Sequence, residues 1–231
     1  MTILDDKEKK QLIQKFPHLT QYINTIQKKM NEPIFYSELP YEARNEAYPN
    51  LIYLGQGSIF VHIFKTRDMD EVEYHAIEPT LDKNEQIKYD QLQKLIVKLV
   101  PKKESVLTDD DLKKILYELM DEIIEINEKA IEAKTPKKSL FSKIGKLHKI
   151  KATSLQKKNI EYYLIKNLVG GGPLECFMRD PYLEDIHVVT GQKVHLTHKV
   201  FGMIKTNVEI SKEEGHLFTR KLSEKIGTPV S

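Results

Sequence analysis

The amino-acid sequence predicts an α+β fold, and three observations carry the prediction. Apolar residues recur at helical spacing over 12–30, 82–126 and 155–169. Short runs rich in β-branched and aromatic residues stand at 52–64, 72–78 and 186–210. Their order, helices, hairpin, helices, then strands and a last helix, lacks the strand–helix alternation of a doubly wound sheet.

Taken in order, Leu12, Phe16, Leu19, Ile23, Ile26 and Met30 mark one helical face, which Pro17 divides into two helices. Pro33, Pro40 and Pro49 punctuate connecting structure with one short helix near Tyr41 to Ala47. Ile52 to Phe64 and Val72 to Glu78, joined across Thr66-Arg67-Asp68, predict an antiparallel hairpin in which Val72, Tyr74 and Ala76 share a face. Asp82 and Glu85 form a capping box for a helix that Pro101 stops, with Leu92, Leu95, Ile96 and Leu99 as its buried stripe. Thr108 caps the next helix, whose acidic first turn, Asp109-Asp110-Asp111, suits the helix dipole, and whose apolar face runs from Leu112 through Ile115, Leu116, Leu119 and Ile123 to Ile126. Leu155 to Val169 reads as a helix stopped by Gly170-Gly171-Gly172-Pro173, strands follow near 186–189, 193–198 and 204–210, and Ser211 with Glu214 opens a final helix to Ile226.

Composition narrows the function classes. With 231 residues, 40% of them hydrophobic, the chain has enough apolar surface for a core. No apolar stretch approaches the roughly 20 residues that cross a bilayer, and the charged segment Met1 to Lys15 lacks the apolar core of a secretory signal, so cytosolic residence is expected. The single cysteine, Cys176, excludes an internal disulfide and a multi-thiolate metal site, and reads as a small core residue. Lys and Arg number 36 against 34 Asp and Glu, which predicts no general affinity for nucleic acid.

Charge is nonetheless uneven. Residues 134–160 hold nine lysines and no acid, which suggests boundaries at 1–133, 134–158 and 159–231. Within that stretch Leu140, Phe141, Ile144 and Leu147 fall at helical spacing among Lys143, Lys146 and Lys149. Two readings stay open: contact with an anionic membrane surface or partner, and a short helix packed on its own domain beside a solvated linker. Only Phe141 interleaves the lysines, so base stacking is disfavoured.

Enzyme signatures are missing. A P-loop needs glycines at fixed spacing before Lys and Ser or Thr, but Gly145-Lys146 is followed by Leu147, and Gly170-Gly171-Gly172 follows a helix and precedes proline. His195 and His198 sit three apart in a predicted strand and so face opposite ways, and no Cys or HExxH pattern joins them or His187 in a metal site.

From Ile160 onward the residues fall into a familiar order. Tyr162-Tyr163-Leu164 leads to the glycine turn around Gly171, then to Arg179-Asp180-Pro181-Tyr182-Leu183-Glu184-Asp185-Ile186, a strand at 193–198, and Gly202-Met203-Ile204-Lys205-Thr206-Asn207. This pattern resembles the N-terminal domain of the hexameric motor ATPases of type II secretion, type IV pili and archaella. Tyr74-His75-Ala76-Ile77-Glu78-Pro79 resembles the archaeal branch.

The resemblance implies a regulatory and docking domain, cytoplasmic and peripheral to the membrane. Its partners would be a RecA-like motor domain of the same protein, neighbouring subunits of the hexamer and a membrane platform protein. It also implies that ATP and Mg²⁺ bind with that motor domain, since this chain has no P-loop and should not hydrolyse ATP alone. Arg179, Lys199 and Lys221 are the basic residues it would bring to the nucleotide cleft, although the family commonly has arginine at the last two, and lysine lacks the bidentate fork. Asp180 and Pro181 read as a turn, and Glu184-Asp185 as either a strand start or a subunit contact. The pattern breaks off at Val230-Ser231, short of a hairpin usual in the family, so an incomplete sheet edge is expected. The alternative reading is a stand-alone interaction module without a motor.

Overall fold

The computed structural model describes residues 3–99, 108–129 and 149–226, with side chains to Ser223. The α+β expectation holds, but the chain divides into two compact units at other places than expected. One unit comprises 1–79 and 171–231 and the other 80–170; the expected boundary at 158/159 falls inside a helix, Ser154–Leu168, and that at 133/134 lies outside the described residues. The discrepancy has a topological cause: strands far apart in the chain pair with one another, and a charge run does not report that.

In the first unit, α1 (Asp6–Lys15) and α2 (Pro17–Ile26) are separated at Phe16, because Pro17 has no N–H to continue the helix and instead occupies the first helical position of α2. Asp5 and Glu8 close a capping box on α1. The strands β1 (Ile34–Tyr36), β2 (Asn50–Leu54), β3 (Phe60–Phe64), β4 (Glu73–Ile77), β7 (Leu183–His187), β8 (Lys193–His198) and β9 (Gly202–Glu209) make one mixed sheet in the order β1-β2-β3-β4-β9-β8-β7. A 3₁₀ turn, Tyr41–Asn45, lies where a short helix was expected.

The hairpin of β3 and β4 pairs antiparallel as the sequence suggested, with Phe60 opposite Ile77. What reads in sequence as one strand from Ile52 to Phe64 is two, β2 and β3, because Gly57, at φ +74°, turns the chain between them. The parallel pairings, β1 with β2 and β4 with β9, carry no local sequence signal, and the second joins Glu73 and Tyr74 to Lys205 and Thr206. Leu19, Ile23 and Ile26 of α2 pack on Phe35, Ile52, Phe60 and Ile77 to form a core on one sheet face. Every residue of β3 is buried, as befits a strand covered on both faces. α6 (Glu175–Met178) precedes β7, and α7 (Lys212–Ile226) follows β9, with Ser211 and Glu214 bonding reciprocally at its start.

The second unit contains α3 (Lys83–Leu99), α4 (Asp109–Ile123), α5 (Ser154–Leu168) and a two-stranded parallel sheet of β5 (Ile124–Ile126) and β6 (Ile150–Ala152). The predicted capping box at Asp82/Glu85 and N-cap at Thr108 are both formed, the second closed into a box by Asp111, and Thr153/Gln156 adds a third. Each such cap is worth about 1 kcal/mol. Leu92, Ile96, Leu116, Met120, Ile123, Ile160 and Leu164 form the core. Two expectations are corrected here. Leu99 is exposed, and Ile126 belongs to β5 rather than to the face of α4, since the β-branched run from Ile123 leaves the helix to pair with Ile150 to Ala152.

Candidate functional site

The Arg179-Asp180-Pro181 element lies between α6 and β7 and is held from below by a buried polar network. Asp180 accepts from the hydroxyls of Tyr53 (2.6 Å) and Tyr74 (2.9 Å) through Oδ2, and from the backbone N–H of Tyr182 (2.9 Å) through Oδ1. Those donors come from β2, β4 and the turn itself, so one carboxylate ties three chain segments together. Burial raises the Asp180 pKa, while its three donors and the Lys199 charge pull it back. Burial drives the Tyr53 and Tyr74 hydroxyls well above the usual phenol range, so both remain donors.

His198, at the end of β8, completes the network. Its Nδ1 accepts from the N–H groups of Val200 (3.1 Å) and Phe201 (3.3 Å). Nε2 therefore carries the proton and donates to the Tyr53 oxygen at 3.2 Å. The imidazole stacks on Tyr182, whose hydroxyl accepts from the N–H of Leu39 at 2.9 Å. Burial, with the nearby Lys199 charge, lowers the His198 pKa to about 4, so it is neutral above that.

Two of the three basic residues singled out in the sequence meet at this turn. Arg179 Nε donates to Glu175 Oε1 at 2.6 Å, and Glu175 Oε2 accepts the Gly171 N–H at 2.7 Å. A Cβ at Gly171 would stand 2.5 Å from Met178 Sδ, the end of an exposed, flexible side chain that can move aside. Lys199 Nζ donates to the Pro181 carbonyl at 2.6 Å, on the other side of Asp180. Lys221 stands on α7, a separate element. Part of the Arg179 fork and one Lys199 proton are thus committed to holding the turn, and the remaining donors are available to an anion.

The remaining sequence candidates fall into three groups. Glu184, Asp185 and Ile186 lie on β7, where an irregularity in the pairing between Leu183 and Asp185 leaves Glu184 without a β8 partner. Thr206 is buried and its Oγ1 accepts from the Val208 N–H, while Asn207 is exposed. Leu140, Phe141, Lys143, Ile144, Lys146 and Leu147 lie outside the described residues, and Lys149 is exposed just before β6.

Sequence reading missed a second network on the α2 side of the sheet. Asn50 Nδ2 donates to the Asn31 carbonyl, which turns Oδ1 toward His62 Nε2 at 2.9 Å. His62 Nδ1 is then an acceptor and takes the Tyr22 hydroxyl at 2.8 Å. His75 Nδ1 approaches the same hydroxyl at 3.2 Å while its Nε2 faces Glu73 at 2.9 Å. Burial, with His75 alongside, lowers the His62 pKa to about 3. Burial also lowers that of His75, with Glu73 opposing it and Lys193 adding to it. The available signal was the register, because His62 and His75 stand directly opposite once β3 and β4 pair.

Among the described residues, no cluster of three His, Cys, Asp or Glu is positioned for a metal ion, and no helix is long and apolar enough to cross a membrane. No family model matches the chain. It is similar to Uncharacterized protein MJ0900 of Methanocaldococcus jannaschii, 34% identical over 234 residues, which covers 99% of this chain and 41% of that protein. It is also similar to Uncharacterized protein MJ1288 of the same organism, 27% identical over 136 residues, covering 55% of this chain and 52% of that protein. The chain therefore spans between two fifths and about half of the length of these archaeal relatives.

Proposed function

We propose that this chain is the N-terminal regulatory and docking domain of a hexameric motor ATPase that powers secretion or the assembly of a type IV pilus-like filament at the cytoplasmic face of the membrane. The observation that carries the reading is the ordered series of Arg179-Asp180-Pro181 in the turn before β7, Glu184-Asp185-Ile186 on β7 and Ile204-Lys205-Thr206-Asn207 on β9, the two strands belonging to one sheet. The buried Asp180 anchor supports it physically, because a rigid turn can hold Arg179 and Lys199 toward phosphate charge without reorganising. The length of MJ0900 supports it too, since 41% coverage leaves room in that relative for a motor domain. ATP and Mg²⁺ would be held by that motor domain, and the basic segment at 140–149 would contact the membrane platform.

The test is the size and activity of the protein in its source cells. Antibodies against this chain are expected to detect a band at about twice 26.9 kDa. In that protein Arg179→Ala should lower ATP turnover at least about tenfold, whereas Arg179→Lys, which keeps the Glu175 pair, should lower it less. A band at 26.9 kDa would overturn the motor reading and leave an adaptor without a motor.

A further inference from the structure

The two edges of the seven-stranded sheet are treated differently. At β1 the chain covers its own edge: the Leu4 N–H donates to the Phe35 carbonyl at 2.9 Å, and Ile3 bridges antiparallel to Tyr36. At β7 one side pairs with β8 and, among the described residues, no strand pairs with the other. An open edge offers a row of N–H and C=O groups to any extended segment. Edges that stay unpaired usually carry charges, proline or a bulge; β7 has its irregularity and two acids at 183–185, and 186–189 has none of these. Instead Val188 is 37% and Val189 55% exposed. Ile186 and Val188 also line the rim of a groove of about 590 Å³ that Phe218 and Ile210 help to form.

The edge sequence is self-complementary in one register. A two-fold axis perpendicular to the sheet keeps each residue on its own face, so pairs must have equal parity along the strand. With the axis through Ile186, Ile186 meets the other copy's Ile186, and Asp185 meets the other copy's His187, twice. Asp185 and His187 are exposed and share a face, on which His187 Nε2 reaches Thr197 Oγ1 of the neighbouring β8 at 2.9 Å. Among the described residues, no ion pair or hydrogen bond engages the Asp185 carboxylate. Moving the axis by one residue opposes the two Asp185 carboxylates in one direction and stacks the two His187 rings in the other. An imidazole can donate a hydrogen bond to a carboxylate across a strand pair, whereas two opposed carboxylates repel.

We propose that two copies of this chain associate edge to edge through β7, antiparallel about a two-fold axis at Ile186, to form one continuous sheet. The contact is one short strand on another, so the dimer is weak and concentration-dependent. The inference rests on β7 alone and is independent of the motor reading.

Sedimentation velocity on the 231-residue chain, over a concentration series to about 1 mM, should show a monomer–dimer equilibrium. His187→Asp should weaken the dimer about tenfold, by setting two carboxylates against two carboxylates. The double swap, Asp185→His with His187→Asp, re-forms both acid–imidazole pairs and should restore it. Ile186→Cys should oxidise to a homodisulfide, because directly opposed Cα atoms lie within bridging range of about 7 Å. Val188→Cys should not, being displaced from its counterpart by about 13 Å along the strands. Cys176 is buried and does not compete. A monomer throughout the series, failure of the double swap to restore association, or bridging at 188 as fast as at 186 would overturn the proposal.

Discussion

At Asp180 two hydroxyls and a backbone N–H converge on one carboxylate, whereas at Tyr22 two imidazole nitrogens converge on one hydroxyl. Both networks tie strands of the same sheet to a neighbouring segment, and both are largely buried. They differ in proton balance. The Asp180 network has a charged acceptor and a donor for each direction it faces, so every proton has a place. The Tyr22 network has a single phenol proton between two acceptors. The first locks the turn that bears Arg179, and the second holds α2 on the sheet with a weaker, shared bond.

The largest expected effect breaks the first network. Asp180→Ala leaves the Tyr53 and Tyr74 hydroxyls and the Tyr182 N–H without their acceptor, and should cost about 3–5 kcal/mol in urea unfolding. A loss under about 1 kcal/mol would show that water replaces the carboxylate, and that the turn does not depend on it.

Acid acts on one histidine of each network with the same sign. His198 at about 4 and His62 at about 3 lie below the ordinary imidazole value of 6.5, so the folded state favours their neutral forms. Stability is full above pH 6.5 and falls as the pH drops toward 4 and then 3. Between pH 7 and pH 5 each histidine should remove about 2 kcal/mol. Asp180 runs the other way, since burial raises its pKa and its protonation relieves a cost of the fold. Urea midpoints at pH 7 and pH 5 measure the sum, and a midpoint that does not fall would contradict the neutral assignment of both rings.

Tyr22→Phe should have the smallest effect, about 1–2 kcal/mol, because it removes one donor already divided between two acceptors. A loss as large as that of Asp180→Ala would erase the distinction between the networks.

Local chemistry was well marked in the sequence. Asp82 with Glu85, Thr108, and Ser211 with Glu214 cap helices where the sequence placed them, and Pro17 separates α1 from α2. These features act within four residues, so the residues that cause them are neighbours in the chain. The candidate site was legible only in part. Arg179, Asp180 and Lys199 stood out, but Asp180 is bonded to Tyr53, 127 residues away, and to Tyr74, 106 away. No periodicity encodes such a pairing.

The sequence by itself determined the α+β class, the capped starts of the long helices and the β3–β4 hairpin, since caps, prolines and side-chain periods are properties of adjacent residues. Only the tertiary structure decided that β4 pairs with β9, that residues 80–170 form a unit of their own which interrupts another in sequence, and that among the described residues β7 pairs on one side alone. Those outcomes depend on which strands bury their faces together, a choice made by the whole chain at once and by no segment of it alone.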